Sequence, residues 1–197
     1  DLTGNSSVSS GKIYWSVLNR ERRGDYLGAT VQIIPHITDE IKRRIYAMAE
    51  EDVDVVITEI GGTVGDIESQ PFLEAIRQVA SERPHGDVVF IHVPLIVQIP
   101  GSGELKSKPT QHSVKELLSL GIQPDILVCR CDVPITEDIR RKIALFCNVQ
   151  PDCVIQNATA ETLYEVPLLM AKEGLDEVVC RKLGLITHQP DLREWSA

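Results

Sequence analysis

The segment Glu59–Ser69, which reads EIGGTVGDIES, combines three carboxylates with three glycines. It follows the apolar run Val53–Ile57, which predicts a buried strand, and it precedes Pro71–Ile76, where a helix is predicted to begin. In open α/β sheets, ligands bind at the carboxyl ends of strands, and Mg²⁺ prefers oxygen ligands that it shares with phosphates. The segment therefore indicates a magnesium–nucleotide site. The alternative is a solvated turn whose acidic residues favour a helix N-terminus through the helix dipole.

A second group of polar residues lies in the segment Gly101–Ser113, between a predicted strand and a predicted helix. Its two lysines would supply positive charge to a phosphate, and Pro109 stiffens the backbone by fixing φ. Thr110 and Gln111 could recognise a base or a ribose through hydrogen bonds. The alternative interpretation of this segment is a flexible surface loop with scattered charge.

Two cations outside these segments also bear on a ligand site. Arg130 ends a predicted strand, a position that favours contact with a ligand, whereas Lys142 on a predicted helix is most simply a solvated lysine. The sequence contains no nucleophile elbow and no zinc-protease motif, and no cysteine lies in a Gly-x-Cys-x-Gly setting. Covalent acyl chemistry is therefore not expected.

Apolar runs and helical patterns alternate along the chain. Strands are predicted at Val53–Ile57, Val88–Val93, Ile126–Cys129 and Val154–Ile155, with Thr30–Ile34 as a further β-branched run. Helices are predicted from the Ser9 cap to Arg22, from the Thr38 cap to Met48, and over Gln70–Glu82, Ser113–Leu120, Val166–Lys172 and Asp176–Leu183, with Pro94–Thr110 irregular. Thr136 is predicted to cap one more helix, whose apolar side carries Ile139, Ile143 and Phe146. This alternation predicts an α/β fold with a mostly parallel sheet flanked by helices on both faces.

Length, charge and cysteine content exclude several classes of protein. A chain of 197 residues fits one domain, and its net charge of −9 disfavours a general role in nucleic-acid binding. No run of 18 apolar residues is present, so no membrane span is expected. Five cysteines without a disulfide-scaffold pattern favour reduced thiols and a cytoplasmic location.

Four long strings of this sequence closely resemble the synthetase, or amidoligase, domain of the CTP synthase family. They are RRGDYLGATVQIIPHIT at 22–38, EIGGTVGDIES at 59–69, KSKPTQHSVKELLSLGIQPD at 106–125 and KIALFC at 142–147. The resemblance implies a fold like that of the P-loop, dethiobiotin-synthetase class, which would be incomplete here. It also implies ATP-dependent amination of UTP to CTP. In that reaction ATP phosphorylates O4 of the uracil, and ammonia derived from glutamine then displaces the phosphate.

The same resemblance assigns roles to individual residues. Glu59 matches the family's Mg²⁺ ligand, and Asp66, Ile67 and Glu68 match the segment that binds CTP as a feedback inhibitor, with Glu74 as a further member of that pocket. The residues that match the UTP and CTP site are Lys106, Ser107, Lys108, Pro109, Thr110, Gln111 and Lys142. Those that fall near the adenine of ATP are Arg130, Ala158, Thr159 and Ala160.

The family's assembly and regulation supply further expectations. The resemblance implies a homotetramer whose nucleotide site lies across a subunit interface, GTP as activator of the full enzyme, and a glutaminase domain in the same chain. The segment Arg23–Gly28 resembles a loop that the family ties to GTP activation and ammonia transfer.

Two departures from the family pattern limit what these 197 residues are expected to do alone. They contain neither the Gly-rich phosphate loop with its lysine nor the aspartate that partners the Mg²⁺ glutamate, and they lack the glutaminase cysteine nucleophile. Because those groups position ATP and neutralise charge in phosphoryl transfer, the isolated chain is expected to be part of an amidoligase domain and to make no CTP. One alternative is a non-catalytic module that binds CTP or UTP and oligomerises. Another is a different amidoligase, such as a dethiobiotin or cobyrinate-type synthetase, against which the string KSKPTQ argues.

Overall fold

The computed structural model describes residues 4–49 and 52–195. The chain forms two compact units, Asp1–Arg83 and Pro84–Ala197, and each is described by itself. No helix within the described residues combines the length and the apolarity that crossing a bilayer requires.

The described residues of the first unit form three α-helices around one apolar cluster. The helices are α1 (Ser10–Arg22), α2 (Thr38–Tyr46) and α3 (Gln70–Glu82), and a π-helical turn, Ile33–Ile37, leads into α2. The Ser9 hydroxyl caps α1 by accepting a hydrogen bond from the Lys12 amide at 3.3 Å, as predicted. The side chains buried in the cluster are Ile13, Val17, Ile37, Ile41 and Ala75.

Three sequence predictions in this unit are wrong. Val53–Ile57 forms no strand, because a strand requires a ladder of hydrogen bonds and no described segment pairs with this run. Its apolar side chains are exposed. Thr30–Ile34 likewise forms no strand, and its last two residues enter the π-helical turn. Thr38 is the first residue of α2 rather than its cap, and its hydroxyl donates to the Pro35 carbonyl oxygen at 3.0 Å.

The second unit contains a parallel three-stranded sheet and a short antiparallel hairpin. The sheet has the order β1–β4–β5, with β1 at Ile91–His92, β4 at Ile126–Cys131 and β5 at Val154–Ala158. The hairpin pairs β2 (Val97–Gln98) with β3 (Leu105–Lys106). Four α-helices complete the part of this unit that the structure describes: α4 (Lys108–Ser119), α5 (Glu137–Cys147), α6 (Val166–Lys172) and α7 (Leu175–Lys182).

Strand β4 is buried on both faces of the sheet. Leu127, Cys129 and Cys131 belong to one apolar cluster, which includes Val114 of α4 and Ile143 of α5. The intervening Ile126 and Val128 belong to another cluster, which includes Val178 of α7. Because alternate side chains of a strand point to opposite faces, the two clusters lie on the two sides of the sheet. The predicted α/β fold with a parallel, helix-flanked sheet is confirmed.

Several element boundaries differ from those predicted. The segment Val88–Val93 contributes only the two residues of β1 to the sheet, whereas β4 and β5 extend beyond their apolar runs. The segment Pro94–Thr110 is not wholly irregular, because it contains the hairpin and the start of α4. Helix α4 begins at Lys108 rather than Ser113, and Pro109 occupies its first turn, where the missing N–H of proline costs no helical hydrogen bond.

Candidate functional site

The segment Glu59–Ser69, called the acidic segment below, contains a tight turn. One carboxylate oxygen of Asp66, Oδ2, accepts a hydrogen bond from the Thr63 amide at 2.9 Å, and the Ser69 hydroxyl donates to the Gly61 carbonyl oxygen at 3.1 Å. Gly62 lies between them with φ of +95°, where a Cβ atom would come 3.0 Å from Ser69 Oγ and 3.1 Å from Asp66 Oδ2. The turn therefore requires glycine at this position.

The carboxylates of the turn face solvent. The side chains of Glu59, Asp66 and Glu68 are exposed, and Ile67 is 79% exposed although it is apolar. Ile67–Ser69 forms one 3₁₀ turn that leads directly into α3. The predicted inhibitor segment therefore presents two carboxylates and an apolar side chain from one short stretch of backbone.

Glu74, one turn into α3, is already engaged. Its carboxylate accepts hydrogen bonds from Arg77 Nε at 2.8 Å, from Arg77 Nη2 at 2.7 Å and from Gln78 Nε2 at 2.8 Å. These bonds, that of Arg77 foremost, lower the pKa of Glu74 to about 2 although partial burial opposes the shift. Glu74 is therefore ionised at neutral pH, and its oxygens are shared with Arg77 and Gln78.

Glu59 fits one particular kind of magnesium site. Among the described residues, no group of three or more His, Cys, Asp or Glu side chains could hold a metal ion between them. Mg²⁺ is often bound by one or two carboxylates together with water and the phosphates of a substrate, and the solvent-facing Glu59 could serve as one such carboxylate. The residues present are compatible with a phosphate-bound Mg²⁺ and not with a cage made wholly of side chains.

In the segment Gly101–Ser113, called the lysine-rich segment below, some side chains face solvent and others face the protein interior. Lys106, at the end of β3, donates from Nζ to Glu104 Oε1 at 2.6 Å, and Lys108, at the start of α4, is exposed. Ser107, Thr110 and Gln111 are buried instead. Lys108 therefore offers an exposed positive charge, whereas the charge of Lys106 is paired with that of the exposed Glu104.

The inward side chains hold the segment in place. The Thr110 hydroxyl donates to the Leu95 carbonyl oxygen at 2.9 Å, and Gln111 Nε2 donates to the Ser107 hydroxyl at 3.1 Å. Pro109 is exposed in the first turn of α4. The Thr110 hydroxyl and one N–H of the Gln111 amide therefore already donate within the protein. Only the other hydrogen-bonding groups of these two side chains remain for a base or a ribose.

Phe146 links the lysine-rich segment to α5, the helix that carries Lys142. Lys108 Nζ lies 5.9 Å from the centroid of the Phe146 ring, a cation–π contact. Lys142 lies one turn before Phe146 on α5, and residues four apart are neighbours on a helix surface. Sequence reasoning placed Phe146 on the apolar side of α5, but its side chain is 54% exposed. Its spacing from Lys142 was the signal that could have identified it.

The carboxyl edge of the parallel sheet brings the predicted adenine neighbours together. Cys131 pairs with Ala158 in the register of β4 and β5, and the Thr159 amide donates to the Cys131 carbonyl oxygen at 3.1 Å. Arg130 Nη1 donates to the carbonyl oxygens of Cys131 and Asn157 at 3.1 Å and 3.2 Å. Ala160 follows directly along the chain. Two of the four, Arg130 and Thr159, are exposed at this edge.

One half-buried polar pair was missed by sequence reasoning. His92 Nε2 lies 2.8 Å from the Ser113 hydroxyl, which joins β1 to α4, and burial lowers the pKa of His92. No periodicity or motif connects the two residues in the sequence. The contact connects α4, whose first residue is Lys108, to the sheet.

The candidate residues are distributed over the two units by chemical type. The carboxylates Glu59, Asp66, Glu68 and Glu74 all belong to the first unit, and the lysines and the sheet-edge residues all belong to the second. Within the second unit, the structure brings Lys108 to Phe146 and brings Arg130 to the end of β5.

Comparison with known proteins gives consistent matches. Residues 1–185 match the family model described as the CTP synthase N-terminus. A CTP synthase of Caldanaerobacter subterraneus is 62% identical over 196 residues, which is 99% of this chain and 36% of that protein. Those of Clostridium acetobutylicum and Symbiobacterium thermophilum are 61% and 63% identical and cover 100% and 98% of the chain, which makes up 37% and 36% of their lengths. The chain thus spans little more than a third of the curated relatives that it matches.

Proposed function

This chain belongs to the CTP synthase family, and from that premise we propose that it is the part of an ATP-dependent ligase that aminates UTP to CTP. The match to the family over residues 1–185 is the observation that carries the proposal. The strings that carry the resemblance, including KSKPTQ, lie within the matched residues, which disfavours an amidoligase that acts on a different substrate.

We assign the pyrimidine triphosphate to the lysines of the second unit. Lys106, Lys108 and Lys142 are exposed or half-buried cations on a chain of net charge −9, and an anionic substrate needs such local positive charge. Charge-assisted hydrogen bonds from lysines to phosphate oxygens are roughly twice as strong as neutral ones. The contact of Lys108 with Phe146 restricts that lysine, so less side-chain entropy is lost when it binds phosphate.

We assign ATP to the carboxyl edge of the sheet. Arg130 and the end of β5 lie at the edge where ligands bind in open α/β sheets. Arg130 holds two carbonyl oxygens through Nη1, which fixes its guanidinium plane and leaves other donors unused. Backbone groups of 158–160 would contact the adenine.

Glu59 is assigned to the magnesium ion. When bound, Mg²⁺ would neutralise phosphate charge during transfer of the phosphoryl group to O4 of the uracil. Glu59 would hold it through its exposed carboxylate, which lies two residues before the hydrogen-bonded turn that begins at Gly61. Ammonia would then displace the phosphate from the activated ring carbon.

The acidic turn offers an explanation for inhibition by CTP. Cytosine carries an amino group where uracil carries a carbonyl oxygen, so a carboxylate such as Asp66 or Glu68 can accept from cytosine and finds no donor at the same position of uracil. Burying an acceptor without a donor costs about 1–3 kcal/mol, which would discriminate product from substrate.

A chimeric enzyme tests the proposal. Residues 1–185 of this chain would replace the matching segment of the Caldanaerobacter relative, and CTP formation from UTP, ATP and ammonia would be measured. We expect the chimera to make CTP, and we expect Glu59→Gln to lower kcat at least a hundredfold. Glu116→Gln, which removes an exposed carboxylate from α4, should leave kcat unchanged. A folded chimera without activity, or a fully active Glu59→Gln variant, would contradict the proposal.

A further inference from the structure

Strands β4 and β5 remain connected beyond the point where their ladder ends. The last pair in their register is Cys131 and Ala158. One residue further on, the Thr159 amide donates to the Cys131 carbonyl oxygen at 3.1 Å, and the Thr159 hydroxyl donates to Asp132 Oδ1 at 3.1 Å. Both polar donors of Thr159 are therefore tied to the end of β4.

Asp132 is an exposed carboxylate that belongs to none of the sites assigned above. It directly follows the last residue of β4 and precedes the loop that leads into α5. A hydrogen bond to a carboxylate is stronger than one between neutral groups. The contact with Asp132 therefore restrains Thr159 in addition to the hydrogen bond that the Thr159 amide makes.

The backbone that follows Thr159 has no regular secondary structure until the 3₁₀ turn Leu163–Glu165. Thr159 is held by β4 on one side, and on the other the Glu161 amide donates to Glu165 Oε2 at 3.2 Å. Within the part of the chain that the structure describes, the amide and the carbonyl oxygen of Ala160 have no hydrogen-bond partner. Ala160 thus presents backbone groups to a ligand from between two fixed positions.

A backbone amide and a backbone carbonyl together can recognise one edge of adenine. Along that edge adenine carries an amino group, which donates, beside a ring nitrogen, which accepts. Guanine carries a carbonyl oxygen and a ring N–H in those two places, so the same backbone groups would not match it. Such recognition requires groups that are held to within about 0.5 Å by their surroundings. The contacts that fix Thr159 therefore bear directly on how well an adenine is bound.

We propose that Asp132 is a positioning residue for ATP, which holds the backbone of 158–160 in place by accepting the hydrogen bond of the Thr159 hydroxyl. The inference rests on the proposed function, because it takes the assignment of ATP to this edge of the sheet as its premise. Asp132 acts on the nucleotide through Thr159, so the two side chains should behave as one unit when they are substituted.

Steady-state kinetics of the chimeric enzyme described above test the inference. Asp132→Ala should raise the KM for ATP about three- to tenfold, because the adenine segment loses one of its supports. The KM for UTP and the kcat at saturating ATP should not change. Thr159→Val removes the donor of the same hydrogen bond and should raise the KM for ATP by the same factor. A merely structural defect would instead affect both substrates or the kcat.

Combined and conservative variants separate positioning from direct contact. Asp132→Ala together with Thr159→Val should raise the KM for ATP no further than either substitution alone, since both remove one hydrogen bond. Asp132→Asn keeps an acceptor and Thr159→Ser keeps a donor, so each should stay within about twofold of the parental KM. Additive increases in the combined variant would show that Asp132 acts on ATP by another route and would overturn the inference.

Two substitutions serve as matched controls. Thr162→Val removes an exposed hydroxyl that makes no capping hydrogen bond, and Asp138→Ala removes an exposed carboxylate from the first turn of α5. Neither should change the KM for ATP. If the chimera makes CTP and its Asp132→Ala variant keeps the parental KM for ATP, the inference is refuted and the proposed function stands. A folded chimera that makes no CTP would refute both.

Discussion

Lys108 Nζ lies 5.9 Å from the centroid of the Phe146 ring, which joins the first turn of α4 to the last turn of α5. The contact brings the lysine-rich segment to the helix that carries Lys142, although 33 residues separate Lys108 from Lys142 in the sequence. One aromatic side chain therefore connects the lysine-rich segment with the helix on which the separately recognised Lys142 lies.

Phe146 is expected to contribute to nucleotide affinity. Replacing it with alanine removes a cation–π contact of about 0.5–1 kcal/mol and frees Lys108, so the affinity for UTP should fall about two- to fivefold by calorimetry. Phe146→Tyr keeps the ring and should bind normally. Leu145→Ala, at the neighbouring exposed position of α5, is the matched control. Equal affinity in Phe146→Ala would show that the ring does not support the lysine.

Gly62 is expected to tolerate no side chain. Its φ of +95° and the short distances that an added methyl carbon would have to Ser69 and Asp66 predict that Gly62→Ala lowers the free energy of unfolding by about 1–3 kcal/mol. Gly61→Ala is the control, because its Cβ would meet nothing nearer than Glu59 Oε1 at 3.7 Å. Urea denaturation of both variants measures the difference. If the two substitutions cost the same, the turn is not shaped as described.

Glu40 should make stability depend on acid pH. Its folded pKa of about 2 lies below the ordinary value of 4.5, so its stabilising effect is complete above pH 4.5 and is lost as pH falls towards 2. The buried carboxylate accepts hydrogen bonds from Arg43 and Arg44. The lowered pKa corresponds to about 3 kcal/mol of stability, and because both arginines are partly exposed, solvent screening reduces this to roughly 2 kcal/mol. Unfolding measured from pH 7 to pH 3 should therefore show a smaller acid loss in Glu40→Gln than in the parent chain.

An exposed carboxylate provides the comparison for Glu40. Glu137, which also pairs with two arginines but is 58% exposed, should give a Gln variant with the pH dependence of the parent chain. If Glu40→Gln and Glu137→Gln both retain the full acid loss, the buried carboxylate is not its source.

The cysteines should differ sharply in reactivity. Burial, as the main cause, raises the pKa of Cys129 to about 12 and that of Cys147 to about 11, and it also raises the pKa of Cys131 and Cys153. Because the thiolate is the nucleophile, iodoacetamide at pH 8 should modify half-buried Cys180 first and the other four only after unfolding in urea. Peptide mass spectrometry would read out the order. Equal labelling of Cys129 and Cys180 in the native protein would refute the packing of β4.

The elements that the sequence predicted correctly are those whose apolar side chains are buried within a single unit. The runs of β4 and β5 are buried by helices on both faces, and the Thr136 cap and the apolar positions Ile139 and Ile143 specified α5. The run Val53–Ile57 is also rich in valine and isoleucine, but no described segment pairs with it to form a sheet. An apolar composition does not by itself determine which strand will be the neighbour. The start of α4 was missed because lysines and proline resemble a loop, although proline suits a first helical turn.

The candidate site was only partly accessible to sequence reasoning. The type and order of residues suggested Lys106, Lys142 and Arg130 as ligand contacts, and those roles remain predictions. The sequence did not indicate that Thr110 and Gln111 turn inward, because burial depends on packing against Leu95 and Ser107. It also did not indicate the ion network around Glu40, whose partners are brought together by the packing of α1 on α2.

The most direct test of the central claim is calorimetric titration of UTP and CTP into the 197-residue chain and into three variants, Lys106→Ala, Lys142→Ala and Lys115→Ala. Lys115 is an exposed lysine of α4 outside the proposed site and serves as the control. We predict that Lys106→Ala and Lys142→Ala each weaken both nucleotides about tenfold and that Lys115→Ala binds as the parent chain does. Unchanged affinity in the Lys106 and Lys142 variants would contradict the assignment of the pyrimidine triphosphate to these lysines.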